Sequence, residues 1–261
     1  MRLFGFASAL LGFAVCTAIP AFADDWTLCQ DGIAAPAVSI EACTRAIGSG
    51  LYRSHDLSVL HYNRGVSHRQ DGDDVAAFND YSVAIRIDPR YEKPFNNRGN
   101  VLKDMGDIDG ALADYSEAIR LKPDYHTALA NRADLYDDTG EFDLALTDLD
   151  RALGIDGRSA RAFNLRGLIR RKKDDLDGAI ADFGSAVRFD PKYVYAYSNR
   201  GLSYEAKGDL DRALADFRLA LNIDASNRTA VDGIARIELA TGSRREPTSN
   251  VTAIAPVAEK R

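Results

Sequence analysis

The chain has 261 residues, of which 46% are hydrophobic and 28% are charged, and this balance is typical of a folded protein rather than a disordered chain. It carries 33 Lys and Arg against 39 Asp and Glu, which gives a net charge of -6. Because affinity for a phosphate backbone comes mainly from basic side chains, the acidic balance argues against a general nucleic-acid binder.

Residues 1–23 have the composition of a secretory signal peptide. Arg2 precedes an apolar run from Leu3 to Ile19, and the A-F-A sequence at 21–23 fits the pattern that signal peptidase accepts. The run is shorter than the roughly 20 residues of a membrane span. We therefore expect cleavage before Asp24 and an exported protein with no membrane span, periplasmic or secreted, of a Gram-negative bacterium. An uncleaved anchor is the alternative.

Two cysteines, Cys29 and Cys43, would remain after cleavage. An even number of cysteines in an exported chain predicts a disulfide, and two buried free thiols are the alternative. Closing a loop of this size would stabilise the fold by about 3 kcal/mol on the chain-entropy model. The spacing is not Cys-x-x-Cys, so catalytic redox chemistry is not expected.

Residues 58–227 repeat with a period of 34. The shift aligns a small residue (Gly65, Gly99, Ala133, Gly167, Gly201), an alanine (Ala77, Ala111, Ala145, Ala179, Ala213) and a large residue (Tyr81, Tyr115, Leu149, Phe183, Phe217). Each period predicts a helical hairpin in which the small residues let two helices approach and the large residue fills the gap. One hairpin cannot bury its apolar face alone, so successive hairpins are expected to stack into a solenoid.

This pattern resembles the tetratricopeptide repeat family. The resemblance implies an all-α fold, a right-handed superhelical solenoid of antiparallel helix hairpins, with units at 58–91, 92–125, 126–159, 160–193 and 194–227. Residues 24–57 predict a degenerate first unit whose two helices the disulfide would join. Residues 228–241 predict a capping helix, and the Ser, Thr, Pro and charge of residues 242–261 indicate a disordered tail.

Every unit carries an arginine on its first helix and an aspartate sixteen residues later. The arginines are Arg64, Arg98, Arg132, Arg166 and Arg200, and the aspartates are Asp80, Asp114, Asp148, Asp182 and Asp216. We expect a structural ladder of ion pairs that fixes register more than it stabilises, because desolvation offsets much of the attraction. Ligand binding by these arginines is the alternative. The pairing partner could lie in the same unit or in a neighbouring one.

In this family the first helices line a concave groove. The resemblance implies that partner contacts are made by Arg69, Lys93, Asn96, Asn100, Lys103, Asn131, Arg161, Asn164 and Arg171. Bases outnumber acids on this lining, which favours an acidic peptide segment or a terminal carboxylate. Asn100, Asn131 and Arg161 match the family's carboxylate clamp, but Asn96 and Leu165 replace two of its bases. An ordinary solvated helix face is the alternative.

Catalytic and metal-binding motifs are not apparent in the sequence. There is no phosphate-binding Gly-rich loop, G-x-S-x-G elbow or H-E-x-x-H helix. His61 and His68 lie seven residues apart at packing positions, so we expect no metal and no cofactor. The basic run at 170–173 ends a predicted helix, where it would complement the helix dipole, and an anion site is the alternative.

The sequence thus predicts a non-enzymatic scaffold of the bacterial cell envelope that binds a segment of another protein in its groove. One alternative is a structural or self-associating solenoid. Another is an accessory protein that binds an anionic envelope polymer through Lys93, Lys103, Arg161 and Arg171. The oligomeric state is left open.

Overall fold

A computed structural model describes residues 19–30 and 34–242, with side chains from Asp25 onward. Most of the predicted signal peptide and the predicted tail beyond residue 242 lie outside the described residues. The described part of the chain is helical and contains no strand, which confirms the all-α class. Its helices are α1 Ile19–Gln30, α2 Pro36–Gly48, α3 Ser54–Gln70, α4 Asp74–Ile87, α5 Glu92–Asp104, α6 Ile108–Leu121, α7 His126–Thr139, α8 Phe142–Ile155, α9 Ala160–Lys172, α10 Leu176–Phe189, α11 Val194–Ala206, α12 Leu210–Ile223 and α13 Arg228–Thr241.

The chain divides into two compact units after Leu135, within α7. The N-terminal unit contains the hairpins α1/α2, α3/α4 and α5/α6 together with the first part of α7. The C-terminal unit begins at Tyr136 and contains α8, the hairpins α9/α10 and α11/α12, and α13 packed on α12. In each unit the first helices of successive hairpins also contact one another, as α3 contacts α5 and α9 contacts α11. Each unit is therefore a stack of helix hairpins.

Close approach between the two helices of a hairpin depends on glycine. A Cβ atom on Gly65 would lie 2.7 Å from the ring of Tyr81, and one on Gly167 would lie 2.7 Å from the ring of Phe183. Both rings are completely buried. The missing side chain leaves the space that the ring fills, so the glycine and the aromatic residue act as a matched pair.

In four hairpins an aspartate between the two helices caps the second helix. Asp73 accepts a hydrogen bond from the backbone N–H of Ala76 at 2.8 Å, and Asp175 accepts one from Gly178 at 2.9 Å. These contacts satisfy backbone donors that the first turn of a helix leaves free. The preceding residue is usually a glycine with positive φ, but Asp174 adopts φ 64° at that place, a conformation that aspartate tolerates better than most residues.

The hairpin α1/α2 extends the array at its N-terminal end. Cys29 and Cys43 form a disulfide that joins the two helices, and both cysteines pack against Leu60 of α3. Since α3 begins at Ser54, four residues before the predicted unit boundary, the connection from α2 is shorter than expected. No helix among the described residues is both long enough and apolar enough to cross a membrane.

Candidate partner-binding face

Four arginines of the ladder pair within their own hairpin. Arg64 donates from Nε and Nη2 to the two carboxylate oxygens of Asp80, each at 2.8 Å. The same bidentate geometry, at 2.7 to 2.9 Å, joins Arg98 to Asp114, Arg166 to Asp182 and Arg200 to Asp216. All four aspartates are buried. These arginines are therefore engaged with the protein itself.

The remaining nitrogen of several ladder arginines contacts the second helix of the preceding hairpin. In the N-terminal unit Arg98 Nη1 donates to Ser82 and Arg132 Nη1 to Ser116, at 3.1 and 3.0 Å. In the C-terminal unit Arg166 Nη1 donates to Asp150 at 2.6 Å. Asp148, the buried ladder aspartate of α8, lies 3.9 Å from Arg151 of the same helix. A ladder arginine thus links two hairpins as well as two helices.

Two of the aspartates accept additional hydrogen bonds that the repeat pattern does not reveal. His61 Nδ1 lies 2.9 Å from Asp80, and Arg170 Nη1 donates to Asp182 at 2.8 Å. Burial by itself would raise the pKa of Asp80, but the hydrogen bonds from Arg64 and His61 hold it below its usual value. The carboxylate therefore stays ionised at neutral pH.

Three of the four asparagines that were expected to contact a partner, Asn96, Asn131 and Asn164, form hydrogen bonds with asparagines of neighbouring first helices. Asn131 Nδ2 donates to Asn96 Oδ1 at 2.9 Å in the N-terminal unit, and Asn199 Nδ2 donates to Asn164 Oδ1 at 3.0 Å in the C-terminal unit. Each bond joins first helices of successive hairpins across 35 residues. Because these helices pack closely, Asn96, Asn131 and Asn164 are buried, and burial requires amides to find partners.

Asn100 is likewise engaged, since Tyr115 Oη donates to its side-chain oxygen at 2.8 Å. The asparagines of the predicted groove therefore position helices in the described structure rather than presenting free amides.

Two of the predicted basic residues are neutralised by acids of the next first helix. Arg69 donates to Asp104, and Lys103 donates to Asp134 at 2.7 Å. In the C-terminal unit Lys172 pairs in the same way with Asp137, and Arg236 pairs with Glu205. Opposite charges separated by 31 or 35 residues were the signal for these pairs, which a comparison at 34 residues does not reveal.

The other three predicted bases also lie on first helices. Lys93 on α5 and Arg161 at the start of α9 are exposed. Arg171, near the end of α9, is partly buried, and its side chain has no hydrogen bond or ion pair to any residue in the described ranges. Burial lowers the pKa of its guanidinium from the usual value. Arg171 is thus a partly desolvated cation without a protein acceptor there.

The other bases of the run at 170–173 have partners. Arg170 binds Asp182, Lys172 binds Asp137, and Lys173 Nζ donates to Asp143 at 2.7 Å. The run is therefore not a cluster of four free cations, and Arg171 differs from its neighbours.

The first helices of the C-terminal unit also carry a large exposed aromatic side chain. Tyr195, in the first turn of α11, is 65% exposed, and its ring makes an edge contact with Tyr193. Leu168 of α9 and Leu202 of α11 are partly exposed on the same helices. We define the C-terminal face by these residues, Arg161, Leu168, Arg171, Tyr195 and Leu202.

The histidines do not assemble a metal site. His61 lies 2.9 Å and His68 3.9 Å from carboxylate oxygens of Asp80, which Arg64 already occupies. Over residues 25–30 and 34–242 there is no group of three or more His, Cys, Asp or Glu side chains placed to hold a metal ion.

Comparison with known proteins identifies the repeat. Models described as TPR repeat or tetratricopeptide repeat match residues 99–139, 126–158, 167–208 and 194–227. No curated protein matches the chain in sequence.

Solved structures of tetratricopeptide repeat proteins share its fold. A repeat protein from Parabacteroides merdae is 20% identical with a TM-score of 0.67, covering 85% of this chain and 86% of its own. YrrB, described as a TPR protein with an unusual peptide-binding site, is 20% identical with a TM-score of 0.57, covering 75% of this chain and 99% of its own. MamA from Desulfovibrio magneticus is 21% identical with a TM-score of 0.57, covering 66% and 97%. The matched repeat models identify the chain as a tetratricopeptide repeat protein, and the solved structures share its fold; proteins of this family are generally protein-interaction scaffolds.

Proposed function

We propose that this protein is a non-enzymatic scaffold of the bacterial cell envelope that holds a segment of another protein against exposed first-helix surface. Scaffolding is the general role of the family, and the fold relative YrrB is described as having a peptide-binding site. Most charged and amide groups along the first helices are engaged in structural contacts, which leaves a small set of residues for a partner.

The observation that carries the proposal is the exposure of Tyr195. Aromatic residues at core positions of the same unit, Phe183 and Phe217, are completely buried on second helices. Tyr195 instead is 65% exposed, on the same face of α11 as the partly exposed Leu202 two turns away. Tyrosine is enriched among residues that dominate binding energy, because it offers a large contact area and a polar tip.

Export is supported by two features that are independent of the groove. Residues 1–23 have the composition of a signal peptide, and Cys29 and Cys43 form a disulfide, which persists in oxidising compartments. Fractionation of cells producing the full chain tests this part. We expect a shortened protein in the periplasm in which Cys29 and Cys43 are joined in a disulfide and do not react with a thiol reagent. An intact, reduced protein in the cytoplasm would contradict it.

Peptide binding is tested by comparing two exposed apolar residues. Peptides selected from a random display library on the full chain are measured by fluorescence anisotropy against Tyr195→Ala and Leu144→Ala. Leu144 is 48% exposed on α8, a second helix, and serves as the matched control. We expect Tyr195→Ala to weaken binding about tenfold or more, as for a binding hot spot, and Leu144→Ala to leave it unchanged. Equal effects of both variants, or none, would refute the proposal.

A second candidate function, self-association, is favoured by the C-terminal end of the array. Val231 and Leu239 of α13 are 44% and 68% exposed. A cavity of about 330 Å³ lies between α12 and α13 and is lined by Leu210, Leu214 and Ile237 among others. Sedimentation at several concentrations tests this alternative, which predicts a mass that rises with concentration and that falls to the monomer in Leu239→Asp.

A further inference from the structure

The last turn of each first helix carries a charge at a fixed place in the repeat. These residues are Arg69, Lys103, Asp137, Arg171 and Glu205. Four of them bind an opposite charge on the next first helix, located 31 or 35 residues further along the chain. The pairs are Arg69–Asp104, Lys103–Asp134, Asp137–Lys172 and Glu205–Arg236. A charge at this position is thus usually neutralised by an opposite charge on the next first helix.

Arg171 is the exception. The residues 31 and 35 places after it are Leu202 and Ala206, and neither side chain can accept a hydrogen bond. Glu205, the nearest acid in sequence to these positions, already receives two hydrogen bonds from Arg236, at 3.0 and 2.7 Å. Along the described part of the chain, no residue accepts a hydrogen bond from the Arg171 guanidinium.

Partial burial makes this cation a favourable place for an acceptor from outside. A guanidinium that has lost part of its hydration gains more from a charged acceptor than a fully hydrated one does, and a carboxylate matches its two parallel N–H donors. The neighbouring surface is apolar, because Leu168 lies one turn earlier on α9 and Leu202 lies on the adjacent α11. An acidic group flanked by an apolar one would fit both features.

We propose that Arg171 binds a carboxylate of the partner peptide, with a neighbouring apolar side chain of that peptide packed against Leu168 and Leu202. This inference rests on the proposed peptide-binding function and names the chemistry of its ligand. Arg161 and Arg171 are ten residues apart on α9, about 15 Å along the helix axis. Tyr195 occupies on α11 the repeat position that Arg161 occupies on α9, so a similar distance along the helix axis separates Tyr195 from Arg171. An extended peptide of about five residues would reach from one to the other.

The decisive variant gives Arg171 a partner within the chain. Ala206 is exposed and stands where Asp104 stands opposite Arg69, so Ala206→Asp should bind Arg171 by the same geometry without removing it. Ala206→Asn is the matched control, since it has nearly the same shape and no charge. Lys173→Ala, which deletes a nearby base already paired with Asp143, controls for net charge.

Seven-residue peptides displayed on phage are selected on the full chain, and the enriched peptides are synthesised with Glu or Asp and with the corresponding Gln or Asn. We expect an acidic residue beside an apolar one in the enriched set. The amide peptides, Arg171→Ala and Ala206→Asp should each weaken binding about tenfold or more, without adding to one another. Ala206→Asn and Lys173→Ala should remain within about twofold of the unchanged protein.

The possible failures are distinguishable. If Tyr195→Ala weakens binding but Ala206→Asp does not, the carboxylate inference is wrong and the proposed function stands. If no peptide is enriched, both are wrong. If free polyglutamate binds as tightly as the selected peptides, with the same sensitivity to Ala206→Asp and no need for an apolar residue, the ligand is an anionic polymer and the peptide proposal is overturned.

Discussion

The N-terminal and C-terminal units are built from the same 34-residue hairpin, yet they differ at the positions that do not pack the hairpin. In the N-terminal unit the bases in the last turns of the first helices, Arg69 and Lys103, are both paired. In the C-terminal unit Arg171 has no partner among the described residues, and Tyr195 is largely exposed. Residues that pack the hairpin are constrained by the neighbouring helix. Residues on the exposed surface of the first helices are not, so we expect the residues that bind a partner among them.

The cores of the two units differ as well. The large residue of the second helix is Tyr81 or Tyr115 in the N-terminal unit and Leu149, Phe183 or Phe217 in the C-terminal unit. The N-terminal unit also contains the disulfide and Trp26, which stacks on Tyr52. Since Trp26 is the single tryptophan of the chain, its fluorescence reports on that unit.

The largest expected effect separates the ladders of the two units. Asp80→Ala should destabilise the N-terminal unit by about 3 kcal/mol, because it leaves the Arg64 guanidinium without a carboxylate. Asp182→Ala removes a carboxylate from both Arg166 and Arg170 but should cost only about 2 kcal/mol, because Arg166 keeps Asp150 and Arg170 lies 3.9 Å from Asp175. Hydrogen exchange of the amides in α3–α4 and in α9–α10 measures both values. Equal losses would mean that the contact with the preceding hairpin contributes nothing.

An intermediate effect is expected from the matched glycine and ring of the C-terminal unit. Gly167→Ala should cost about 1 to 3 kcal/mol, since its Cβ would lie 2.7 Å from the ring of Phe183. Adding Phe183→Leu should relieve that cost, because the repeat that carries Ala133 has Leu149 in place of the aromatic residue. Urea unfolding followed by circular dichroism gives the three free energies. If the two single costs simply add, the close approach is not what the glycine secures.

The smallest effect concerns alkaline pH and the phenols of the N-terminal unit. Burial raises the pKa of Tyr81, so the folded state keeps a proton that the unfolded chain releases near pH 10. The stability due to this group is complete below pH 10 and falls as the pH rises above it, by about 0.8 kcal/mol at pH 10.5. The urea midpoint of Trp26 fluorescence should therefore decrease between pH 8 and 10.5, and decrease less in Tyr81→Phe. An identical decrease in the variant would assign the effect elsewhere.

The hairpins were predictable because their packing residues recur at the period itself. Gly65 and Tyr81, or Gly167 and Phe183, pack within one unit, so aligning the units places both members of a pair in columns. Contacts between first helices do not follow that period. Asn131 binds Asn96 across 35 residues, so aligning the units at 34 residues does not reveal the bond. The family resemblance implied that both asparagines line the groove, and the structure shows them buried.

Arg171 illustrates what the sequence could and could not give. Its place on the first-helix face was predictable from the repeat, because it occupies the same position as Arg69 and Lys103. That it lacks an acceptor depends on Leu202 and Ala206, which become relevant once the offsets of 31 and 35 residues are known from the neighbouring pairs. The exposure of Tyr195 likewise depends on how α11 packs, which the period does not specify.

The contacts of Arg98 bear on how such an array changes its number of repeats. Its guanidinium reaches Asp114, sixteen residues ahead, and Ser82, sixteen residues behind. Arg132 reaches Ser116 in the same way. Excision of residues 98–131 would therefore bring Arg132 opposite Ser82, a residue of the same type as the one it leaves. Because the same contacts recur from one repeat to the next, recombination can remove or duplicate a repeat and still leave the arginine at the junction with a partner in the preceding hairpin.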